Sequence, residues 1–166
     1  MHSGLYYRPG SDKALLCTAG RVELEAWCAA HDVDLERCGK VVVATRPEEL
    51  AALDELRRRG MANGLEVTEL DPRGLAEHEP YAAGIRALFV PATGVVDFKV
   101  VAAGLADELR ASGVTIELAN PAVGIREEGD RVIVETVDGP RRAARVVNCA
   151  GLHSDEIARA ASAEPS

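Results

Sequence analysis

The sequence has few aromatic residues: 4% in total, with one Trp, two Phe and three Tyr. A core without aromatics must be assembled from Ala, Val and Leu, which the 47% hydrophobic content supplies. No run of about eighteen apolar residues occurs, which excludes a membrane-spanning helix from the sequence as given. The start, Met1-His2-Ser3-Gly4-Leu5, lacks the basic-then-apolar form of a secretory leader. Four cysteines, Cys17, Cys28, Cys38 and Cys149, form no C-x-x-C pair and no His/Cys cluster at metal-ligand spacing. Cys17, Cys28 and Cys149 lie in apolar stretches and are expected to be small buried hydrophobes. A reduced, cytoplasmic protein is the expectation.

A basic stripe is missing too. The net charge is −8, and only Arg57-Arg58-Arg59 and Arg141-Arg142 cluster. Because phosphate contacts dominate nucleic-acid affinity, nucleic-acid binding is not expected. The two Arg runs read as a solvated helix face and a hairpin edge.

What is present is an α/β pattern. A helix is expected from Ser11, its N-cap, to about His31-Asp32, with Leu15, Ala19, Val22, Ala26 and Ala29 as the buried stripe and Trp27 extending it. Gly39 to Thr45 reads as a strand with a continuous apolar centre, buried on both faces. Thr45-Arg46-Pro47-Glu48 reads as a capping box opening a helix that stops near Gly60 or Gly64. Leu65 to Leu70 is an expected strand and Pro72 to Glu79 a short helix. Ile85 to Val90 is a strand, and Asp97 caps a helix with Val101, Ala102, Leu105 and Leu109 inward and Gly113 at its end. Val114 to Leu118 is an expected strand. Arg131 to Val137 follows a turn at Glu128-Gly129-Asp130, and Asp138-Gly139 is a hairpin turn. Arg145 to Gly151 reads as a buried strand entering a tight turn, with Ser154 or Asp155 capping the last helix.

Three segments can carry chemistry. At Ala150-Gly151 a strand runs into a helix, where small residues and unpaired helix N–H groups let a phosphate-bearing cofactor approach; a plain strand-to-helix turn is the simpler alternative. His2 to Ser11 packs a His, Tyr6, Tyr7 and Arg8 beside glycines, supplying proton donors and an anion binder, or else an ordinary loop. Pro91 to Phe98 holds Thr93 and Gly94, which can line a pocket, and Asp97 as an N-cap. His31 and His78 are expected to be solvent-exposed helix residues.

Taken together, His2-Ser3-Gly4-Leu5-Tyr6-Tyr7-Arg8-Pro9-Gly10-Ser11, Arg37-Cys38-Gly39-Lys40-Val41-Val42-Val43-Ala44, Thr93-Gly94-Val95-Val96-Asp97-Phe98 and Asn148-Cys149-Ala150-Gly151-Leu152-His153-Ser154-Asp155 closely resemble the L-2-hydroxyglutarate oxidase/dehydrogenase family of D-amino-acid-oxidase-like flavoproteins. The likeness runs from His2 to about Ala161. It implies an FAD-dependent oxidoreductase that converts L-2-hydroxyglutarate, or a similar 2-hydroxy acid, to the 2-oxo acid by hydride transfer to flavin.

The implied fold is mixed α/β and α+β, a partial Rossmann-like FAD-binding domain (1–37 and 93–166) interrupted by a substrate-lobe segment (38–92). The resemblance assigns His2, Ser3 and Gly4 to the loop beside the flavin ring, with His2 as the candidate catalytic residue or as a residue that only positions the loop through a hydrogen bond. It assigns Val123 to the adenine end and Ala150 and Gly151 to the ribose and diphosphate, while Tyr6, Tyr7 and Thr93 are candidate substrate-binding residues from their own chemistry.

Family members begin with a G-x-G-x-x-G turn and continue past the matched region, and Phe98 stands where they often have Tyr. The expectation is therefore an internal fragment that binds flavin weakly or not at all by itself and tends to self-associate. Membrane-peripheral placement is expected if a quinone accepts the electrons. Two other readings stay open: an inactive structural or dimerising module, and a related flavin oxidase acting on an amino acid.

Overall fold

The structure is a computed structural model and describes residues 1–161. Its described residues fall into two compact units, Met1–Glu108 and the chain from Leu109 onward, which divide within one helix.

In the first unit Ser11 caps helix α1 (Asp12–Ala30): its side chain accepts from Ala14 N. The helix closes at His31, followed by Asp32 at φ 53°, where Val33 N reaches back to Cys28 O. The expected inner stripe is turned around the helix axis. Leu15 and Val22 are more than half exposed, and Ala19, Ala26 and Ala29 are exposed as well. Ala14 and Cys28 are buried instead, with Cys17, Leu24 and Trp27 half-buried. The sequence offers apolar residues on two faces of this helix, so periodicity could not select between them. Trp27 stacks on His31 with ring centroids 4.1 Å apart and donates Nε1 to Glu108 Oε1 at 3.0 Å. A Cβ on Gly104 would come within 2.7 Å of the indole, so only glycine lets the next helix over pass this close.

Strands β1 (Leu35–Glu36) and β5 (Val95–Val96) form a two-residue antiparallel ladder. Strands β2 (Lys40–Ala44), β3 (Thr68–Leu70) and β4 (Arg86–Val90) make an antiparallel sheet in the order β2-β4-β3. Side chains alternate across it. Val42, Ala44, Leu88 and Val90 face helix α2 (Leu50–Ala62) and Leu5, through Leu53, Leu56 and Leu65. Val41, Val43, Ala87 and Phe89 face helix α3 (Pro72–His78) through Leu75. Cover on both faces, expected from the apolar run at Gly39–Thr45, is achieved here by an antiparallel sheet.

The turn into α2 is a capping box displaced by one residue from the expected Glu48. Arg46 is the cap, and Glu49 reaches back. The Glu49 carboxylate accepts from Thr45 N at 2.7 Å and Thr45 Oγ1 at 3.1 Å, and from the Arg46 guanidinium at 3.0 Å. These bonds, the Thr45 backbone donor first and Arg46 next, lower its pKa from 4.5 to about 2. A depressed folded-state value means that its contribution to stability is present above about 4.5 and fades as pH falls through about 2.

Arg58 and Arg59 both pair with Glu55, and Arg141 and Arg142 pair with Glu117 and Glu128. Arg58, Arg141 and Arg142 thus lie exposed beside acidic partners, whereas Arg57 and Arg59 are half-buried and the Arg57 Nε is buried without a hydrogen-bond partner.

Gly39, at φ 70°, has no room for a side chain: a Cβ would sit 2.5 Å from Phe89 Cε2 and 3.3 Å from Val90 O. Gly39→Ala is expected to destabilise by at least about 1–2 kcal/mol from the left-handed backbone alone, more if Phe89 must move. A urea midpoint unchanged from the parent would contradict this.

Helix α4 (Phe98–Ala111) starts where Asp97 Oδ1 accepts from Lys99 N at 2.8 Å. Of the four apolar positions expected to face inward only Val101 is buried; Leu105 and Leu109 are 43% and 46% exposed, and Ala102 is exposed. Gly113 (φ 87°) ends the helix as expected, with Val114 N bonded to Leu109 O.

The second unit is a meander of β6 (Ala122–Glu128), β7 (Arg131–Thr136) and β8 (Arg141–Ala143) in the order β6-β7-β8. It turns at Gly129 and Gly139, both in the left-handed region, and Ile133 is fully buried. A 3₁₀ turn (Gly151–His153) and helix α5 (Ser154–Ala160) follow.

Two expected strands are absent among the described residues: Val114–Leu118 and Arg145–Gly151 run without strand structure. Val147 is 82% exposed, and Cys149 is exposed, not buried. A strand exists only against a partner, and no strand among the described residues pairs with either segment. Neither Ser154 nor Asp155 is the N-cap of α5. That position is His153, with no side-chain cap bond, because the 3₁₀ turn leads directly into the helix.

Candidate functional site

In the first unit the loop Met1–Tyr7 is fixed from several directions. Met1 N donates to Gly94 O at 2.7 Å, and Gly94 N to Met1 O at 3.4 Å. Leu5, fully buried, packs with Leu65 and Val90. Asn63 Nδ2 donates to Gly4 O at 3.1 Å and Tyr7 O at 3.0 Å. Cys17 Sγ donates to His2 O at 3.6 Å. Gly4 takes φ 90° inside this turn.

His2 is exposed between half-buried Met1 and buried Ser3, so its backbone is held while its ring projects outward. Ser3 is 1% exposed and its Oγ has no partner. Thr93 carries a second buried hydroxyl without a partner, and its carbonyl accepts from Gly39 N at 2.9 Å. Tyr6 is 53% exposed, and Lys40 Nζ stands 4.2 Å above its ring centre.

The fold therefore gathers His2, Ser3, Gly4, Tyr6, Tyr7 and Thr93 around one loop. Two residues of this arrangement escaped sequence reasoning as site residues. Asn63 reads locally as a helix terminator, and nothing in sequence links it to a loop 59 residues away. Lys40 reads as the polar start of an apolar strand.

Val123, Ala150 and Gly151 belong to the second unit. The β6–β7 register shifts between Ala122 and Gly124. Val123 is the extra residue of this bulge, outside the ladder pairing, and 63% exposed. At Gly151 (φ 57°) no atom lies within 4 Å of where a Cβ would be. Asn148 shapes the approach: its Oδ1 accepts from Ala150 N at 3.1 Å and its Nδ2 donates to Ser154 O at 2.8 Å. Helix α5 lies beside β6, so the Gly151 turn and the Val123 bulge are on neighbouring elements. Among the described residues no group of three or more His, Cys, Asp or Glu side chains could hold a metal ion, and no helix is long and apolar enough to cross a membrane.

In the first unit the Ser3 hydroxyl, buried without a partner, is a group that a ligand can complete, and in the second the Gly151 turn leaves open space for one.

Comparison with known proteins bears on which ligand this is. L-2-hydroxyglutarate dehydrogenase of Indibacter alkaliphilus is 40% identical over 160 residues, covering 96% of this chain and 40% of that protein. L-2-hydroxyglutarate dehydrogenase of Salmonella houtenae is 34% identical over 166 residues, covering 99% and 39%. The chain thus spans about two fifths of the length of these relatives. Glycine oxidase from Geobacillus kaustophilus superposes with a TM-score of 0.80 at 22% identity, over 93% of this chain and 44% of that one, a likeness of fold. The model of the FAD dependent oxidoreductase family, DAO, matches residues 1–166, and the chain belongs to that family.

Proposed function

We propose that the chain carries part of the flavin and substrate sites of an FAD-dependent enzyme that oxidises L-2-hydroxyglutarate, or a similar 2-hydroxy acid, to the 2-oxo acid. The observation that carries the reading is the 40% identity to an L-2-hydroxyglutarate dehydrogenase across 96% of the chain. The fixed loop bearing His2 supports it from the side of geometry.

In this reading His2, Ser3 and Gly4 border the flavin ring, Val123 meets the adenine end with its backbone, and Ala150 and Gly151 leave room for ribose and diphosphate. FAD, when bound, supplies the acceptor for the hydride that leaves the alcohol carbon. The chain's own part is positional and protonic. Tyr6, Tyr7 and Thr93 border the substrate, and the His2 imidazole, projecting from a held backbone, takes the hydroxyl proton.

Residues 38–92 form the substrate lobe and the flanks belong to the flavin domain. The Gly39–Thr93 hydrogen bond and the β1–β5 ladder, which bring the two ends of that segment together, support this division. Self-association through exposed Leu15, Leu16, Val22 and Val147 belongs to the same reading, as does a cytoplasmic site, membrane-peripheral if the acceptor is a quinone.

The test is to load a protein containing these residues with FAD and mix it anaerobically with L-2-hydroxyglutarate. The expected result is loss of the oxidised flavin absorbance with stoichiometric 2-oxoglutarate. Reduction by an amino acid and by no 2-hydroxy acid would replace this reading with that of an amino-acid oxidase.

A further inference from the structure

Lys40 is half-buried, and among the described residues its ammonium has no carboxylate within ion-pair distance. It contacts the face of Tyr6 instead, 4.2 Å from the ring centre. A ring face holds a cation but uses none of its N–H donors, so the donors of the ammonium stay available to an anion. Arg8, the loop's own cation, is exposed and is solvated without help.

The placement of Lys40 follows from strand alternation. It shares a face of β2 with Val42, which packs on the Leu5–Leu65–Val90 cluster, and Tyr6 follows Leu5 in the chain. Gly39, the residue before it, is hydrogen-bonded to Thr93. The ammonium therefore stands over Tyr6 of the His2–Tyr7 loop, one residue along the chain from the backbone N–H that is bonded to the Thr93 carbonyl, and a one-residue shift of register would send it to the α3 side of the sheet.

We propose that Lys40 is the anion anchor of the substrate site: held against Tyr6, its ammonium receives a carboxylate of a dicarboxylic 2-hydroxy acid. This rests on the proposed 2-hydroxy-acid activity and adds a residue and a charge requirement to it.

The probe is glutarate, a dicarboxylate without the reacting hydroxyl, titrated by calorimetry into the flavin-loaded protein, with turnover of L-2-hydroxyglutarate measured in parallel. K40M keeps the apolar stem and removes the charge. It is expected to weaken glutarate about tenfold or more, the range for a charge-assisted hydrogen bond, and to raise KM more than it lowers kcat. K40R, retaining the charge, should stay within a few-fold of the parent.

Turnover by the parent with the same glutarate Kd in K40M would overturn Lys40 as anchor and leave the activity standing. Lack of turnover together with a Kd that depends on Lys40 would overturn the activity and leave the anchor. A parent that binds no glutarate, or a K40M protein that only loses stability, overturns the anchor. Should K40M not fold, Y6L, at an already exposed position, is expected to weaken glutarate severalfold by releasing the ammonium; unchanged binding would count against the proposal.

Discussion

Replacing His2 by Asn is expected to lower turnover about a hundredfold or more while flavin stays bound, the lower range for loss of a general base. The expectation follows from how the residue is held. Cys17 Sγ grips its carbonyl, Met1 is paired to Gly94, and Ser3 is buried, so the backbone cannot drift while the ring stays accessible. Asn keeps a polar side chain but cannot accept a proton at cellular pH, as imidazole can. Stopped-flow reduction of the flavin by L-2-hydroxyglutarate separates the chemical step from binding. If reduction keeps its rate and only flavin affinity falls, His2 is a cofactor-loop residue and the base must be sought elsewhere.

The second large effect is expected at Leu5→Ala. Leu5 is fully buried between Leu65 and Val90, and the Gly60 backbone comes so close that a Cβ there would lie 2.7 Å from Leu5 Cδ1. Such packing leaves little freedom to collapse around a lost side chain, so truncation should cost about 2–5 kcal/mol. The same substitution should loosen the loop that presents His2, because Leu5 is its main apolar anchor. Urea unfolding and amide exchange at Ser3 and Gly4 measure both consequences. A loss below about 1 kcal/mol with undiminished protection would mean that Asn63 and Gly94 hold the loop without Leu5.

Features governed by neighbours in sequence were legible in advance. Ser11, Asp97, Gly113, Gly129 and Gly139 sit at the caps and turns their chemistry requires, since the groups they satisfy lie within a few residues. The capping box erred by one position because Glu48 and Glu49 are adjacent and both follow a Pro turn. The inward side of α1 was illegible because two stripes compete, and Arg21 and Glu25, paired at 3.7 Å with little side-chain exposure, lie among the inward residues. The strands expected at Val114–Leu118 and Arg145–Gly151 were composed correctly as isolated segments, but a ladder depends on a partner and not on composition alone. At the candidate site the His2–Tyr7 loop and Thr93 were visible as separate motifs. Their convergence, the Asn63 clamp and the Lys40–Tyr6 contact join residues 34 or more positions apart, and local pattern does not encode them.

The chain has a single tryptophan, and Trp27 lies on α1, stacked on His31 and hydrogen-bonded to Glu108 with Gly104 against its ring. The first unit thus carries its own optical reporter: indole emission answers to the docking of α1 on α4, while the β6–β8 meander contains no indole. Unfolding followed by tryptophan emission and by far-ultraviolet circular dichroism therefore watches different parts of the molecule. Transitions that fail to coincide would reveal that the two units melt separately.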